Sequence, residues 1–117
     1  GSIVNTASIC GLVALPHATA YNSAKHGVIG LTKSAAVEYG PKKIRVNAVC
    51  PGFIDTPMLA KGAGASQEIL DGVVRQLPIR RIADPSEVAD VVAWLMSPHS
   101  SYVTGVAMPI DGGWTAQ

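Results

Sequence analysis

An α/β fold built on a parallel sheet is what this sequence predicts, and three observations predict it. Short apolar runs alternate with helix-length segments in the order strand, helix, strand, helix, strand. Each apolar run ends in residues that stop a strand: Ser8 and Gly11, then Pro51-Gly52, then Asp111-Gly112-Gly113. The segments between the runs are long enough for crossovers that return the chain to one sheet, and such crossovers are right-handed. The expected unit is βαβαβ, with helices on both faces of the sheet. It fills residues 1–117 as a single partial domain, since no repeat or linker divides it further. A complete dinucleotide fold needs two such halves, and this chain has one.

The elements follow in order. Ile3 to Ala7 reads as a strand, followed by a loop through Pro16. Thr19 to Tyr39 reads as a helix, with Thr19 as its N-cap and Gly40-Pro41 as its stop. Ile44 to Cys50 is the second strand. Thr56 to Pro78 reads as a loop holding a helix from Gln67 to Gln76. Asp84-Pro85-Ser86-Glu87 supplies a cap, a proline at the first helical position and a capping-box glutamate. Val88, Val91, Val92 and Leu95 then form one apolar face, and Ser97-Pro98 ends that helix. Val106 to Ile110 is the third strand.

Bulk properties exclude several classes. A formal net charge of +1 gives no reason to expect a nucleic-acid or membrane-surface partner. The longest apolar stretch, near Val88 to Met96, carries Asp90 and is too short to span a bilayer. No basic start leads into an apolar run, so no signal peptide is expected. Cys10 and Cys50 lack metal or CxxC spacing and read as free thiols of a reducing cytoplasm, which makes the expected location cytoplasmic. His17, His26 and His99 show no ligand spacing, so no metal is expected, and His17 is a candidate to face a substrate. Gly62-Ala63-Gly64 is not a phosphate loop, because no strand precedes it and Gln67 stands where a third glycine is needed. The opening Gly1-Ser2-Ile3-Val4 has no methionine. Gly1-Ser2 has the form of a cloning scar, and upstream sequence is expected.

Open parallel sheets bind ligands beyond the carboxyl ends of their strands, and three features converge on that edge. Ser8 leaves the first strand, Pro51-Gly52 leaves the second, and Tyr21 begins the helix after the first. Tyr21 and Lys25, four apart on a helix, share one face. Ser8, then Tyr21-Asn22-Ser23-Ala24-Lys25, then Pro51-Gly52-Phe53-Ile54-Asp55-Thr56, resemble the serine, YxxxK and PGxxxT motifs of short-chain dehydrogenases/reductases. The serine stands thirteen positions before the tyrosine, as in that family. Thr104-Gly105 through Asp111-Gly112-Gly113 is similar to the family's last strand and its exit. The resemblance covers essentially the whole chain and implies the carboxyl-terminal half of a Rossmann-like domain. A second pair at the same spacing, Tyr39 and Lys43, is separated by Gly40-Pro41 and has His26 rather than a serine thirteen positions before it. It reads as a helix end with solvated lysines.

The residue types set the expected mechanism. Hydride reduction of a carbonyl needs a proton donor, and oxidation of an alcohol needs a base for the same proton. A free phenol, with a pKa near ~10, is a poor base at neutral pH. An ammonium ~5 Å away, at an effective dielectric of ~20, stabilises a phenolate by roughly 3 kcal/mol. Lys25 would play that part for Tyr21, and Ser8 would hydrogen-bond the reacting oxygen as charge develops on it. The resemblance implies NAD or NADP as cofactor, with Lys25 also on the nicotinamide ribose and Tyr21 beside it. It implies that Pro51 and Gly52 form the turn that passes close to the nicotinamide. Ile54 backbone and Thr56 side chain would contact its carboxamide. Asn47 reads as structural.

The glycine-rich pyrophosphate turn, the residue that chooses NAD or NADP, and the tetrad asparagine have no counterpart in this sequence. The parent protein is therefore expected to be an active oxidoreductase, and this chain alone is not. The rival readings are a truncated or stand-alone half-fold without enzymatic role, and a flavodoxin-like binding module. The latter leaves the Ser8, Tyr21 and Lys25 spacing unexplained. Met58, Leu59 and the residues up to Leu77 resemble the family's variable substrate lid, and their apolar content suggests an alicyclic, steroid-like or acyl carbonyl or alcohol. Small and apolar residues on several sides of the first helix, Gly27 and Gly30 among them, suggest close approach by another element. With the resemblance, they imply a homodimer or homotetramer of the full-length protein.

Overall fold

A computed structural model describes residues 1–62 and 66–117 of the chain. Three parallel strands, β1 (Ser2–Thr6), β2 (Arg45–Pro51) and β3 (Ala107–Ile110), lie in the order β1-β2-β3. Ser2 stands opposite Arg45 and Thr6 opposite Val49, while Ala48 stands opposite Ala107 and Pro51 opposite Ile110. The central strand is covered on both faces, which is why it reads as an almost unbroken apolar run. Val46 through Cys50 are at most 2% exposed. Asn47, the polar member of that run, donates to the Val103 carbonyl at 3.0 Å and accepts the Val106 N–H at 3.1 Å. Its burial therefore leaves both ends of the amide bonded, as a structural role requires.

Side chains alternate across a strand, and the two long helices divide the faces between them. On one face lies α1 (Thr19–Tyr39), whose Ile29 packs with Ala7, Ala48 and Cys50. Thr32 of α1 is fully buried there; its hydroxyl donates to the Val28 carbonyl and accepts from the Asn5 side-chain amide at 3.0 Å. On the other face lies α4 (Pro85–Met96), anchored by the fully buried Leu95. The Leu95 carbonyl, exposed by the helix ending, accepts from the Ser2 hydroxyl and the Arg45 guanidinium, each at 2.9 Å. A cation at a helix carboxyl end also opposes the helix dipole. The α4 amino end carries the expected capping box: Asp84 accepts from Ser86 N–H at 2.9 Å and Glu87 accepts from Asp84 N–H at 2.8 Å.

The structure corrects the sequence reading at several boundaries. Thr19 is not the N-cap of α1; Ala18 holds that position, without a side-chain bond. His17, at φ 62°, turns the chain into the helix, and Asn22 ties the preceding loop down by donating to the Leu15 carbonyl at 2.9 Å. The strands begin or end one residue from the expected positions. The segment after Thr56 holds a second, short helix, α2 (Pro57–Gly62), besides the expected α3 (Gln67–Gln76). Pro57 opens α2 and the Thr56 hydroxyl accepts from Leu59 N–H at 3.3 Å, a cap written in the sequence but hidden by the nearby glycines. Of Gly62-Ala63-Gly64, the first closes α2 and the other two lie outside the described residues.

Candidate active site

The chain leaves β1 and makes a single 3-10 turn, Ile9–Gly11, led by Ser8. Ser8 is 7% exposed; its hydroxyl oxygen accepts the Cys10 N–H at 3.1 Å and its carbonyl accepts the Gly11 N–H at 2.9 Å. The turn is pressed against α1 at the level of Lys25. A Cβ at Gly11 would stand 2.8 Å from the Lys25 carbonyl oxygen and 2.6 Å from the Ile29 side chain. Gly11 therefore does more than stop a strand: its missing side chain lets the serine turn dock on the helix. No sequence pattern announces that contact.

Tyr21 lies in the first turn of α1 and Lys25 one turn later, both half-buried. The Lys25 ammonium donates to the Thr6 carbonyl at 3.3 Å and sits 5.6 Å from the centre of the Tyr21 ring. Ser8, Tyr21 and Lys25 thus gather around the carboxyl end of β1. The second YxxxK spacing does not form such a pair. Lys43 is exposed at φ 60° beyond the helix, and the cation beside the Tyr39 ring is Lys42.

At the end of β2, Gly52 N–H donates to the Ile110 carbonyl at 3.0 Å, and a Cβ at Gly52 would stand 2.9 Å from Asp111 Cβ. Pro51-Gly52 thus packs directly against the exit of β3. Ile54 pairs with Ala83 in an isolated parallel bridge, using the Phe53 carbonyl and the Asp55 N–H. In extended backbone, adjacent residues point their amides to opposite sides, so the Ile54 N–H and carbonyl face away from Ala83. Thr56 caps α2 with its oxygen, which leaves its hydroxyl proton for another acceptor.

Two groups near this edge read in the sequence only as a free thiol and as part of a strand stop. Burial pushes the Cys50 thiol above its ordinary value; the adjacent Ser8 N–H partly offsets this and the charge of Asp111 adds to it. Burial also raises Asp111, but the Thr115 hydroxyl and amide and the Gly113 amide outweigh it and hold the carboxyl below its ordinary value. Both cysteines are free and buried. His17 is exposed in the loop before α1, and His26 bonds within its own helix to the Asn22 carbonyl. Among the described residues no cluster of His, Cys, Asp and Glu could hold a metal ion, and no helix is long and apolar enough to cross a membrane.

A cleft of about 340 Å³ lies on the carboxyl side, among Phe53, Leu77, Ile79 and Asp111. A larger one, about 710 Å³, lies at the other end of the sheet among Gly1, Lys43, Arg45 and Met96, and no predicted site residue lines it. Ligands of open parallel sheets bind at the carboxyl edge, where the smaller cleft lies, but none of Ser8, Tyr21, Lys25, Pro51, Gly52, Ile54 and Thr56 lines that cleft either.

The family model described as enoyl-(acyl carrier protein) reductase matches residues 1–115. Cyclohexanol dehydrogenase of Acinetobacter sp. (strain SE19) is 48% identical over all of this chain and 44% of its own length. The structure of a 4-hydroxyisoleucine dehydrogenase complexed with NADH superposes with a TM-score of 0.93 at 37% identity, covering all of this chain and 48% of that one. An actinorhodin polyketide ketoreductase variant with NADPH gives a TM-score of 0.94 at 39% identity, covering all of this chain and 48% of that one. The chain belongs to the short-chain dehydrogenase/reductase family, as a match to its carboxyl-terminal half. It spans less than half the length of the curated relatives it matches.

Proposed function

We propose that the protein to which this chain belongs transfers a hydride between NAD or NADP and an alcohol or carbonyl, with Tyr21 as acid and base. The observation that carries this reading is the Lys25 ammonium, bonded to the Thr6 carbonyl and 5.6 Å from the Tyr21 ring centre, at the strand end that carries Ser8. When bound, the nicotinamide supplies or accepts the hydride. Tyr21 takes the hydroxyl proton of an alcohol or returns one to a carbonyl oxygen. Lys25 stabilises the phenolate and reaches the nicotinamide ribose. Ser8 keeps a hydroxyl proton to donate, since in the fold its oxygen accepts from Cys10. The outward Ile54 amide and the Thr56 hydroxyl suit the nicotinamide carboxamide, and Pro51-Gly52 lets backbone pass close to the ring.

A secondary alcohol with an apolar body fits best. Met58 is 65% exposed on α2 beside this edge, and the similarity to a cyclohexanol dehydrogenase points the same way. Supplied with cyclohexanol and NAD or NADP, the full-length protein should generate the absorbance of reduced nicotinamide. No signal with either cofactor, over a panel of secondary alcohols and in the reverse direction with their ketones, would overturn the reading. The 117-residue chain alone should show no turnover, because its residues seat only the nicotinamide end of the cofactor.

A further inference from the structure

The central strand β2 pairs with β1 on one side and β3 on the other, yet its last residue is Pro51. Proline has no N–H to give a sheet and is ordinarily confined to edges and bulges. The pairing shows which neighbour loses the bond. Ala48 N–H donates to the Val106 carbonyl at 2.9 Å and Gly52 N–H to the Ile110 carbonyl at 3.0 Å, so these amides face β3. Backbone amides alternate along a strand, and the amide of residue 51 therefore faces β1. On that side the last ladder bond runs from Ala7 N–H to the Val49 carbonyl at 2.8 Å. In a parallel pair the next bond would run from residue 51 N–H to the Ala7 carbonyl. Pro51 cannot make it.

Ala7 is 3% exposed, and among the described residues no donor reaches its carbonyl. Both neighbours of Ala7 belong to the site. The Thr6 carbonyl accepts from the Lys25 ammonium, and Ser8 opens the turn that docks on α1 through Gly11. In a continued ladder the Ala7 carbonyl would face β2, and the Ser8 N–H, trans to it across the planar peptide, would face away. Instead the Ser8 N–H faces the Cys50 thiol, on β2 itself. The Ala7–Ser8 peptide has therefore turned out of the ladder's orientation, and the chain leaves the sheet at Ser8.

We propose that Pro51 is a positioning residue for Ser8. By withholding an N–H from the Ala7 carbonyl it ends the β1–β2 ladder, so that the Ala7–Ser8 peptide turns over and the Ser8 hydroxyl is set at the carboxyl edge instead of being held in the sheet. This role is separate from the passage of backbone beside the nicotinamide. It rests on the hydride-transfer reading, in which Ser8 donates to the reacting oxygen.

The test uses the full-length protein and Pro51→Ala, which restores the N–H. In hydrogen exchange without cofactor, the residue 51 amide should be as protected as the other β2 amides, because it takes the Ala7 carbonyl. The urea midpoint should equal or exceed that of the wild type, since a buried acceptor gains its partner. The turnover number with cyclohexanol should nevertheless fall by at least about tenfold, a part of the roughly 10²–10³-fold that one oxyanion donor is worth. A proline that only stiffens the strand end would lower stability when replaced. In a Ser8→Ala background, Pro51→Ala should change the turnover number by less than about twofold, because the residue it acts through is gone. A freely exchanging residue 51 amide, a lower urea midpoint or failure to fold, an unchanged turnover number, or a full further loss in the Ser8→Ala background would each overturn the proposal while leaving hydride transfer intact. A wild type silent with every alcohol and ketone would overturn the hydride-transfer reading, and the positioning role with it.

Discussion

Gly11 shows how much of the site depends on one missing side chain. Alanine there would push its methyl to 2.8 Å from the Lys25 carbonyl oxygen, a backbone atom that cannot swing away. Overpacking of this kind costs about 1–3 kcal/mol. Gly11→Ala in the full-length protein should lower stability by that amount, read from urea melts. It should also lower the turnover number, because the Ser8 turn must lift from the helix carrying Tyr21 and Lys25. Wild-type stability and turnover together would show that the docking of the turn does not matter. The sequence made Ser8, Tyr21 and Lys25 legible through their spacing, since helix periodicity alone places the last two on one face. Gly11, Asp111 and Cys50 carry no such signature. Gly11 acts through the docking of its turn on α1, and Asp111 comes beside Cys50 only because two strand exits distant in sequence meet; spacing encodes neither.

Among the elements, α4 was the most legible and α2 the least. The α4 start is written in four consecutive residues whose caps act locally, and every one of those bonds forms. The start of α1 is different, because the left-handed turn at His17 and the Asn22 bond to Leu15 override the capping preference of Thr19. The α4 start also bears a pH prediction. Glu87 receives two bonds from Arg81, one at 2.8 Å, and the Asp84 N–H, and these lower its pKa to about 2. A carboxyl depressed from its ordinary value of 4.5 contributes stability that is present above that value and lost as pH falls toward 2. Glu87→Gln should therefore melt earlier than wild type at neutral pH, with the gap narrowing as pH falls from about 4.5 to 2. Added salt should narrow it further, because the pair is exposed. A gap that is independent of pH would show that the charge on Glu87 is not what stabilises the helix start.

At the scale of the whole molecule, α1 presents a face that nothing among the described residues covers. Among the described residues, a Cβ at Gly27 or Gly30 would meet no atom of another element within 4 Å, while Leu31 is 63% and Val37 81% exposed. We propose a second copy of the full-length protein on this face, giving a dimer or tetramer; light scattering should report a multiple of the monomer mass at micromolar concentration. A fully active monomer would contradict it. The central claim is narrower: Tyr21 moves the proton that accompanies the hydride. Replacing Tyr21 by Phe keeps the ring and removes the proton carrier, and such acid-base catalysis is worth roughly 10²–10⁴-fold. In the full-length enzyme the turnover number of Tyr21→Phe should fall by about that factor, with cofactor affinity changed far less. A Phe variant retaining more than about a tenth of wild-type turnover would contradict the account.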